Sequence, residues 1–420
     1  MHALTLLNSL INAVRTGTVT APNYGVRMMA SSVPPTPEPS PPPPPSSSSR
    51  CFIDIGVNLL DSMFEGDYRG KQAHSPDIDS VLARARAAGV QRAIVTAGSL
   101  EESRRAIEFI RKRRNAGTDD VALYSTVGVH PTRALEFLPE PELTEVKEAM
   151  AALAEFTAPD ADAAKRDDAA ARASAETALT NVEQRVLQAD KVRASIRDHV
   201  AELEKVIVEG CKEGIVVAIG ECGLDYDRLF FCPKLTQQAC FDAQLDLADK
   251  TGLPLFLHNR ASTSDFASIC AAGKERISKG GGVVHSFDGD ESELDQLLDL
   301  GFDIGLNGCS LKTKDNLDVA AKVPLDKLHL ETDAPWCGIK KTHAGHGYVK
   351  PLLDPSTGAA YPEVKKEKWQ EGACVKDRCE PCHIAHVLQV ISGAANAEES
   401  RVADAAYENS MRVFFPSERK

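Results

Sequence analysis

The chain has 420 residues, of which 43% are hydrophobic, so it is long enough to bury a large core in one or more domains. Its formal net charge of -13 argues against a protein that holds nucleic acid through overall charge, although a bound divalent metal can still make one pocket attractive to phosphate. The sequence has no apolar run of about 18 residues, which argues against a transmembrane helix, and its 11 scattered cysteines indicate reduced thiols in an intracellular compartment.

Residues 1–50 do not have the pattern of a folded domain. Residues 1–37 lack acidic residues, carry two arginines and are rich in Ser, Thr and Ala, a composition typical of an organelle transit peptide. Residues 34–49 form a Pro/Ser linker that we expect to be disordered and extended. Met28 and Met29 could act as internal starts and would remove most of a targeting signal. We therefore expect a cytoplasmic or nuclear protein, with mitochondrial or plastid targeting by this extension as the alternative.

From Cys51 onward, short apolar segments rich in β-branched residues alternate with segments of helical spacing. The predicted strands are residues 52–58, 92–96, 123–129, 215–221, 253–258, 282–285, 302–306 and 327–333. Helical patterns at 81–89 and 100–114 separate the first strands, and those at 386–391 and 401–414 follow the last one. Eight strands separated by helical patterns predict an α/β fold of the (β/α)8 type, a TIM barrel.

One segment interrupts this rhythm between the third and fourth predicted strands. About 85 residues separate these strands, where a barrel needs far fewer, and residues 157–178 are of low complexity. Apolar residues from Val182 to Ile207 then follow at spacings of three and four, which predicts one long helix whose last turns join the outer ring of the barrel. We expect a helical insertion at about 150–204 within a domain spanning 51–416. An intramolecular arm is favoured, and a coiled-coil contact with a partner protein is the alternative.

Residues of metal-binding type stand on several of the predicted strands or at their ends: Asp54, His130, Glu221, His258, His285 and Asp333. Because the carboxyl ends of barrel strands share one face, we expect these side chains to converge in one pocket. Taken singly, each histidine would be a core or capping residue, and Glu221 would be the cap of a helix. Their recurrence at successive strand ends favours a metal site. Oxygen and imidazole ligands without clustered thiolates suit Mg²⁺, Mn²⁺ or Zn²⁺.

Such a site can carry out metal-assisted hydrolysis, because a metal lowers the pKa of bound water, polarises the scissile group and screens its charge. We predict Glu221 as a ligand that could bridge two ions. His258 and His285 would be neutral imidazole ligands, and Asp333 would be both a ligand and the base for the attacking water. Arg260 could hold a substrate phosphate near the mouth of the pocket.

Six motifs resemble those of the TatD-type metal-dependent deoxyribonucleases. They are residues 54–58 (DIGVN), 128–131 (GVHP), 220–225 (GECGLD), 257–260 (LHNR), 284–287 (VHSF) and 331–335 (ETDAP). The tail around 368–383 and 413–416 looks most like the eukaryotic TatD DNase domain-containing proteins. The resemblance runs in order across 51–150 and 205–416, and it leaves out the N-terminal extension and most of the insertion.

The resemblance implies a TIM barrel, one or two divalent metals, usually Mg²⁺, and 3′→5′ exonuclease action on DNA single strands or 3′ ends. By position, the ligands of that family fall on Glu221, His258, His285 and Asp333. Many relatives carry His-x-His on the first strand, where this chain has Gly56 and Asn58. That departure weakens a permanent second metal. His130 and Asn58 are then expected to contact substrate phosphate.

Two other functions stay open at this point. An amidohydrolase-like enzyme on the same scaffold would cut an amide, a lactone or an ester such as aminoacyl-tRNA, although the missing first-strand histidines argue against it. A scaffold protein could retain an old site, although the complete Glu/His/His/Asp set argues against decay. The segment Cys379–His383 also fits a c-type haem pattern, but we expect it to start a helix, because proline favours a first helical turn.

Overall fold

The structure is a computed structural model of the chain, and it describes residues 50–117, 121–157, 168–277 and 279–418. The predicted N-terminal extension up to residue 49, with its targeting signal and its Pro/Ser linker, lies outside the described residues. So do residues 158–167, which belong to the low-complexity part of the insertion.

Within the described ranges, eight parallel strands form one sheet in the order in which they follow along the chain. They are β1 Phe52–Val57, β2 Val90–Val95, β3 Ala122–Val127, β4 Val216–Asp225, β5 Leu255–Arg260, β6 Gly282–Val284, β7 Asp303–Leu306 and β8 Leu328–Leu330. The sheet closes because Val57 pairs in parallel with Ala334, and the Asp333 N–H donates to the Gly56 carbonyl at 2.8 Å. The predicted (β/α)8 barrel is confirmed.

Helices surround the barrel and cover the outer faces of its strands. They are α1 Ile78–Ala87, α2 Leu100–Ala116, α3 Glu142–Thr157, α4 Ala169–Gln188, α5 Asp190–Lys212, α6 Lys234–Thr251, α7 Thr263–Ala272, α8 Lys274–Ile277, α9 Glu291–Asp299, α10 Lys314–Ala320, α11 Ile384–Ala394 and α12 Glu399–Phe414. Helix α2 shows how local sequence sets the bounds. The Ser99 side chain accepts from the Glu102 N–H, and Gly117 ends the helix in the left-handed region. Helix α12 contacts β1 and β8 and completes the wall, as predicted. Across the ranges that the structure describes, no helix combines the length and apolarity needed to cross a membrane.

The prediction of one long helix in the insertion is wrong, because the chain breaks at Ala189. This residue is extended, with ψ of 134°, so that α4 ends before it and α5 begins after it. The break lets α4 pack against α3 and α6. The buried Glu183 of α4 accepts hydrogen bonds from the Thr236 N–H at 2.7 Å and the Thr236 hydroxyl at 2.9 Å, at the N-terminus of α6. The described part of the insertion therefore packs on its own barrel, and the partner contact stays a prediction.

The segment that follows β8 is fixed to α1 by buried ion pairs. Arg378 contacts Asp77 at 2.6 Å and Glu380 at 2.9 Å, and Arg84 contacts Glu380 at 2.7 Å, with all four side chains buried. Because every charge has an opposite partner, the network holds the tail in one arrangement. The next residues, Pro381–His383, form a 3-10 turn that leads into α11, which matches the predicted helix start.

Candidate metal centre

Glu221 lies at an irregularity in β4, where the register between β4 and β5 shifts. Two glycines allow neighbouring backbone segments to come close together around Glu221. A Cβ on Gly220 would lie 2.3 Å from the Phe256 carbonyl oxygen, and a Cβ on Gly128 would lie 2.7 Å from the Gly220 Cα. The backbones around Glu221 are therefore closer together than side-chain-bearing residues would allow.

Three histidines surround one oxygen of Glu221. The distances to its Oε1 are 2.7 Å from His285 Nε2, 2.8 Å from His258 Nδ1 and 3.4 Å from His130 Nε2. The His258 Nδ1 and His285 Nε2 atoms are 3.3 Å apart. Residues that lie within or follow strands β3 to β6 thus meet at one carboxylate, towards the carboxyl end of the barrel.

Two of these imidazoles each have a further carboxylate on the side away from Glu221. Asp225 Oδ2 lies 3.4 Å from His258 Nε2, and Glu331 Oε2 lies 3.5 Å from His285 Nδ1. Both carboxylates are fully buried, and neither oxygen of Asp225 has a hydrogen-bond partner in good geometry among the described residues. Metal-binding histidines commonly direct their second nitrogen at such a carboxylate. This arrangement leaves the His258 Nδ1 and the His285 Nε2 facing a common point.

The protonation of the two rings indicates what this point can hold. Because each ring lies between two carboxylates, its doubly protonated form is favoured. Burial lowers the pKa of His258, but the adjacent Asp225 and Glu221 carboxylates raise the pKa overall. Burial likewise opposes a high pKa for His285, but Glu221 and Glu331 raise it well above the usual value. A divalent cation could replace the two protons on the Glu221 side, so the donor set fits a metal ion.

Asp333 follows β8 and is held at both carboxylate oxygens. Its Oδ1 accepts from the Asn58 amide at 2.8 Å, and its Oδ2 accepts from the Cys337 thiol at 3.1 Å. The Asn58 amide oxygen in turn accepts from the Thr96 hydroxyl at 2.6 Å. Burial raises the pKa of Asp333 to about 6, against the opposing charge of His285. A carboxylate with a pKa near neutrality is suited to accept a proton from water.

His130 is placed near Glu221 but its tautomer argues against a role as a metal ligand. Its Nδ1 accepts from the Thr132 N–H at 3.1 Å, so the neutral ring carries its proton on Nε2, the atom that faces Glu221. Burial lowers the pKa of His130, which favours this neutral form. The nitrogen lies close enough to Glu221 and His258 to share an ion with them, but an N–H is a donor to anions. The predicted contact with substrate phosphate suits this chemistry and stays a prediction.

Two other residues from the sequence prediction have partners of their own. Arg260, the last residue of β5, pairs with Asp227 at 2.7 Å, and its predicted phosphate contact is untested. Asp54 lies inside β1 and is fully buried, where it accepts from the Thr332 N–H at 3.0 Å and the Thr332 hydroxyl at 2.6 Å. Asp54 therefore ties β1 to the end of β8 instead of joining Glu221.

The sequence prediction missed Asp225, Glu331 and Cys337 as parts of this site. Residues two or four apart in a strand point to the same side. Asp225 lies four residues after Glu221, and Glu331 lies two residues before Asp333, so this alternation could have indicated both acids. Cys337 comes from an irregular segment, for which the sequence has no comparable period.

Comparison with known proteins agrees with the motifs. A family model described as TatD related DNase matches residues 53–415. The chain belongs to the TatD family. A protein named deoxyribonuclease Tat-D from Schizosaccharomyces pombe is 33% identical to this TatD protein over 362 residues, covering 86% of this chain and 95% of the yeast protein.

A Klebsiella pneumoniae protein named 3′-5′ ssDNA/RNA exonuclease TatD is 31% identical over 286 residues, covering 67% of this TatD chain and 78% of the bacterial one. The crystal structure of a TatD family hydrolase from Entamoeba histolytica matches with a TM-score of 0.66 and 34% identity, covering 88% of this chain and all of that one.

Proposed function

We propose that this TatD protein is a divalent-metal-dependent deoxyribonuclease that removes nucleotides from 3′ ends of DNA, on single strands or frayed ends. The observation that carries the proposal is the meeting of His258 Nδ1 and His285 Nε2 at Glu221 Oε1, each ring with a carboxylate on its other side. Family membership supports a nuclease, and the name of the Klebsiella relative supports the 3′→5′ direction.

The proposed ligands of one or two ions are Glu221, His258, His285 and Asp333. This set of oxygen and imidazole donors suits Mg²⁺, Mn²⁺ or Zn²⁺, and we take Mg²⁺ as the working ion. A bound ion at this place would lower the pKa of a water molecule, polarise the phosphodiester and offset its charge.

The side chains around these ligands have distinct parts in the proposed reaction. Asp333 accepts the proton of the attacking water, and its hydrogen bonds to Asn58 and Cys337 fix the orientation of the carboxylate. His130 donates its Nε2–H to a phosphate oxygen. Arg260 would bind a second phosphate by exchanging its partner Asp227 for the substrate. We expect a strand terminus to enter this site because the mouth of a barrel admits an end more easily than an intact duplex.

The test is nucleotide release from 5′- and 3′-labelled DNA and RNA oligonucleotides with Mg²⁺, Mn²⁺ or Zn²⁺, with and without EDTA. We expect Mg²⁺-dependent loss of the 3′ label, abolished by Glu221→Ala and by Asp333→Asn. Asp249→Asn is a matched control, since this carboxylate pairs with Lys279 on the outer surface of the barrel. Unchanged activity in both site variants would refute the assignment. Cleavage of an ester or amide panel with no nucleotide release would favour the amidohydrolase alternative.

A further inference from the structure

Two cysteines lie on neighbouring loops beside Asp333. Cys309 is part of the 3-10 turn Gly308–Leu311 that follows β7, and Cys337 comes four residues after Asp333. Their sulfur atoms are 2.8 Å apart, and both residues are partly exposed. The two loops also touch through their backbones, since a Cβ on Gly308 would lie 1.9 Å from the Cys337 carbonyl oxygen. The sulfur pair is therefore held by the fold on two residues that are not fully buried.

Cys337 connects this pair to the candidate metal centre. Its thiol donates to Asp333 Oδ2 at 3.1 Å, while Asn58 holds the other oxygen. Cys337 is thus a positioning residue for Asp333, and its effect depends on the thiol hydrogen. Oxidation of the sulfur would remove that hydrogen and leave Oδ2 without this donor.

We propose that Cys309 and Cys337 are a site of reversible oxidation, at which a disulfide forms and displaces the hydrogen bond that positions Asp333. The sulfurs need to approach by less than about 1 Å to reach a bond length of about 2.05 Å. The consequence for activity rests on the proposed nuclease function, whereas formation of the disulfide does not.

The chemistry balances with hydrogen peroxide as the oxidant. The Cys309 thiolate attacks one peroxide oxygen, the O–O bond breaks, and the departing hydroxide takes up a proton to become water, which leaves a sulfenic acid. The Cys337 sulfur then attacks the Cys309 sulfur, the S–S bond forms and the S–O bond breaks. The hydroxide that leaves takes the Cys337 proton. In total two thiols are oxidised and one peroxide is reduced to two waters.

The surroundings of Cys309 favour the first step. When the single Cys337 hydrogen turns from Asp333 to Cys309, this hydrogen bond and the nearby Lys312 ammonium lower the pKa of Cys309 to about 7 despite partial burial. A thiolate present near neutral pH is the form that reacts with peroxide.

A second sulfur pair in the described part of the chain supplies an internal comparison. The ligand atoms of Cys374, Cys382 and His383 lie within 4.8 Å of one another, but both sulfurs are buried. His383 Nδ1 accepts from the Glu380 N–H at 3.0 Å, so its neutral ring carries the proton on Nε2, which argues against metal binding through that atom. The hydrogen bond with Cys382 lowers the pKa of Cys374 to about 6, but burial keeps peroxide away from this pair. We therefore expect it to react more slowly than the partly exposed pair beside Asp333.

The test uses the full chain, reduced and then exposed to graded hydrogen peroxide, with the remaining thiols blocked by alkylation after denaturation. Peptide mass spectrometry should detect a Cys309–Cys337 linked peptide at peroxide concentrations that leave Cys374 and Cys382 alkylated. Nucleotide release should fall about tenfold, the scale of losing a residue that orients a metal ligand, and should recover with dithiothreitol.

Three variants separate the disulfide from a structural effect. Cys309→Ser should keep basal activity and become insensitive to peroxide. Cys337→Ser keeps a hydroxyl donor for Asp333 and should rescue activity relative to Cys337→Ala, which should lose about tenfold. Thermal melting monitors folding, and the order in which the two cysteine pairs of the wild-type chain are oxidised tests the partly exposed pair without any variant.

The absence of a Cys309–Cys337 linked peptide would overturn the proposal, as would a Cys309→Ser variant as sensitive to peroxide as the wild type. A linked peptide in a chain that releases no nucleotides would support the oxidation site and would count against the proposed nuclease instead.

Discussion

Replacing Asp225 with Asn removes one charge from behind His258 while keeping the shape of the side chain. The amide oxygen can still accept from His258 Nε2, but the negative charge that makes Nδ1 a better ligand is lost. Removing such a partner commonly costs 10–100-fold in metal affinity. The separation of 3.4 Å between Asp225 and His258 is longer than a strong charge-assisted hydrogen bond of about 2.7–2.9 Å. We therefore expect the lower end, about tenfold or about 1.4 kcal/mol of binding free energy.

Titration calorimetry with Mn²⁺ measures this directly on the wild type, Asp225→Asn and the surface control Asp249→Asn. Only Asp225→Asn should weaken binding, and a thermal melt checks that this variant is folded. Equal affinity in Asp225→Asn and the wild type would refute the role of this carboxylate. An equal loss in Asp249→Asn would show that the effect is one of overall charge.

Three further outcomes follow from the same contacts. Because the pKa values of His258 and His285 are raised, metal binding should displace protons from these rings, so metal affinity should rise with pH. Calorimetry in buffers of different ionisation enthalpy should detect the released protons. Binding without proton release would contradict the raised pKa values. Arg378→Met leaves the buried Asp77 carboxylate without its close cation, while Glu380 keeps Arg84, and should lower the free energy of unfolding in urea by about 3–5 kcal/mol. A loss near zero would show that the network does not hold the tail. Asn58→Ala frees one oxygen of Asp333 and should lower kcat about tenfold or more, whereas an unchanged kcat would remove its positioning role.

The barrel could be predicted because its strands are covered on both faces and so form continuous apolar runs in the sequence. Strand β4 departs from the prediction, which ended it at Glu221, whereas the strand continues to Asp225. Gly223 stands in the extension, with φ of 144°, and a glycine weakens the pattern of a strand. The additional residues of β4 are fixed by their pairing with β5, which no local sequence pattern predicts.

The insertion shows the same limit of local information. Ala189 favours a helix by propensity, and the apolar spacing continues through it in phase, so the sequence predicts no break there. The break accompanies a contact distant in the chain, the hydrogen bonds that Glu183 accepts from Thr236, which hold α4 against α6. Tertiary packing overrides the local preference at this position.

At the site, sequence reasoning selected the residues but could not give their contacts. Strand ends on one face of a barrel bring Glu221, His258 and His285 near one another, but which carboxylate stands behind which imidazole depends on register. The positions of Asn58 and Cys337 on Asp333 depend on two irregular segments whose conformation is fixed by closure of the sheet. These contacts could be found only in the folded chain.

The most direct test of the metal centre is anomalous diffraction from crystals of the full chain grown with Mn²⁺. The geometry predicts a peak in contact with Glu221, His258 Nδ1 and His285 Nε2, with Asp333 beside it, and no peak there in Glu221→Ala. A wild-type crystal without manganese at this place, or a peak that persists when the Glu221 carboxylate is gone, would contradict the assignment.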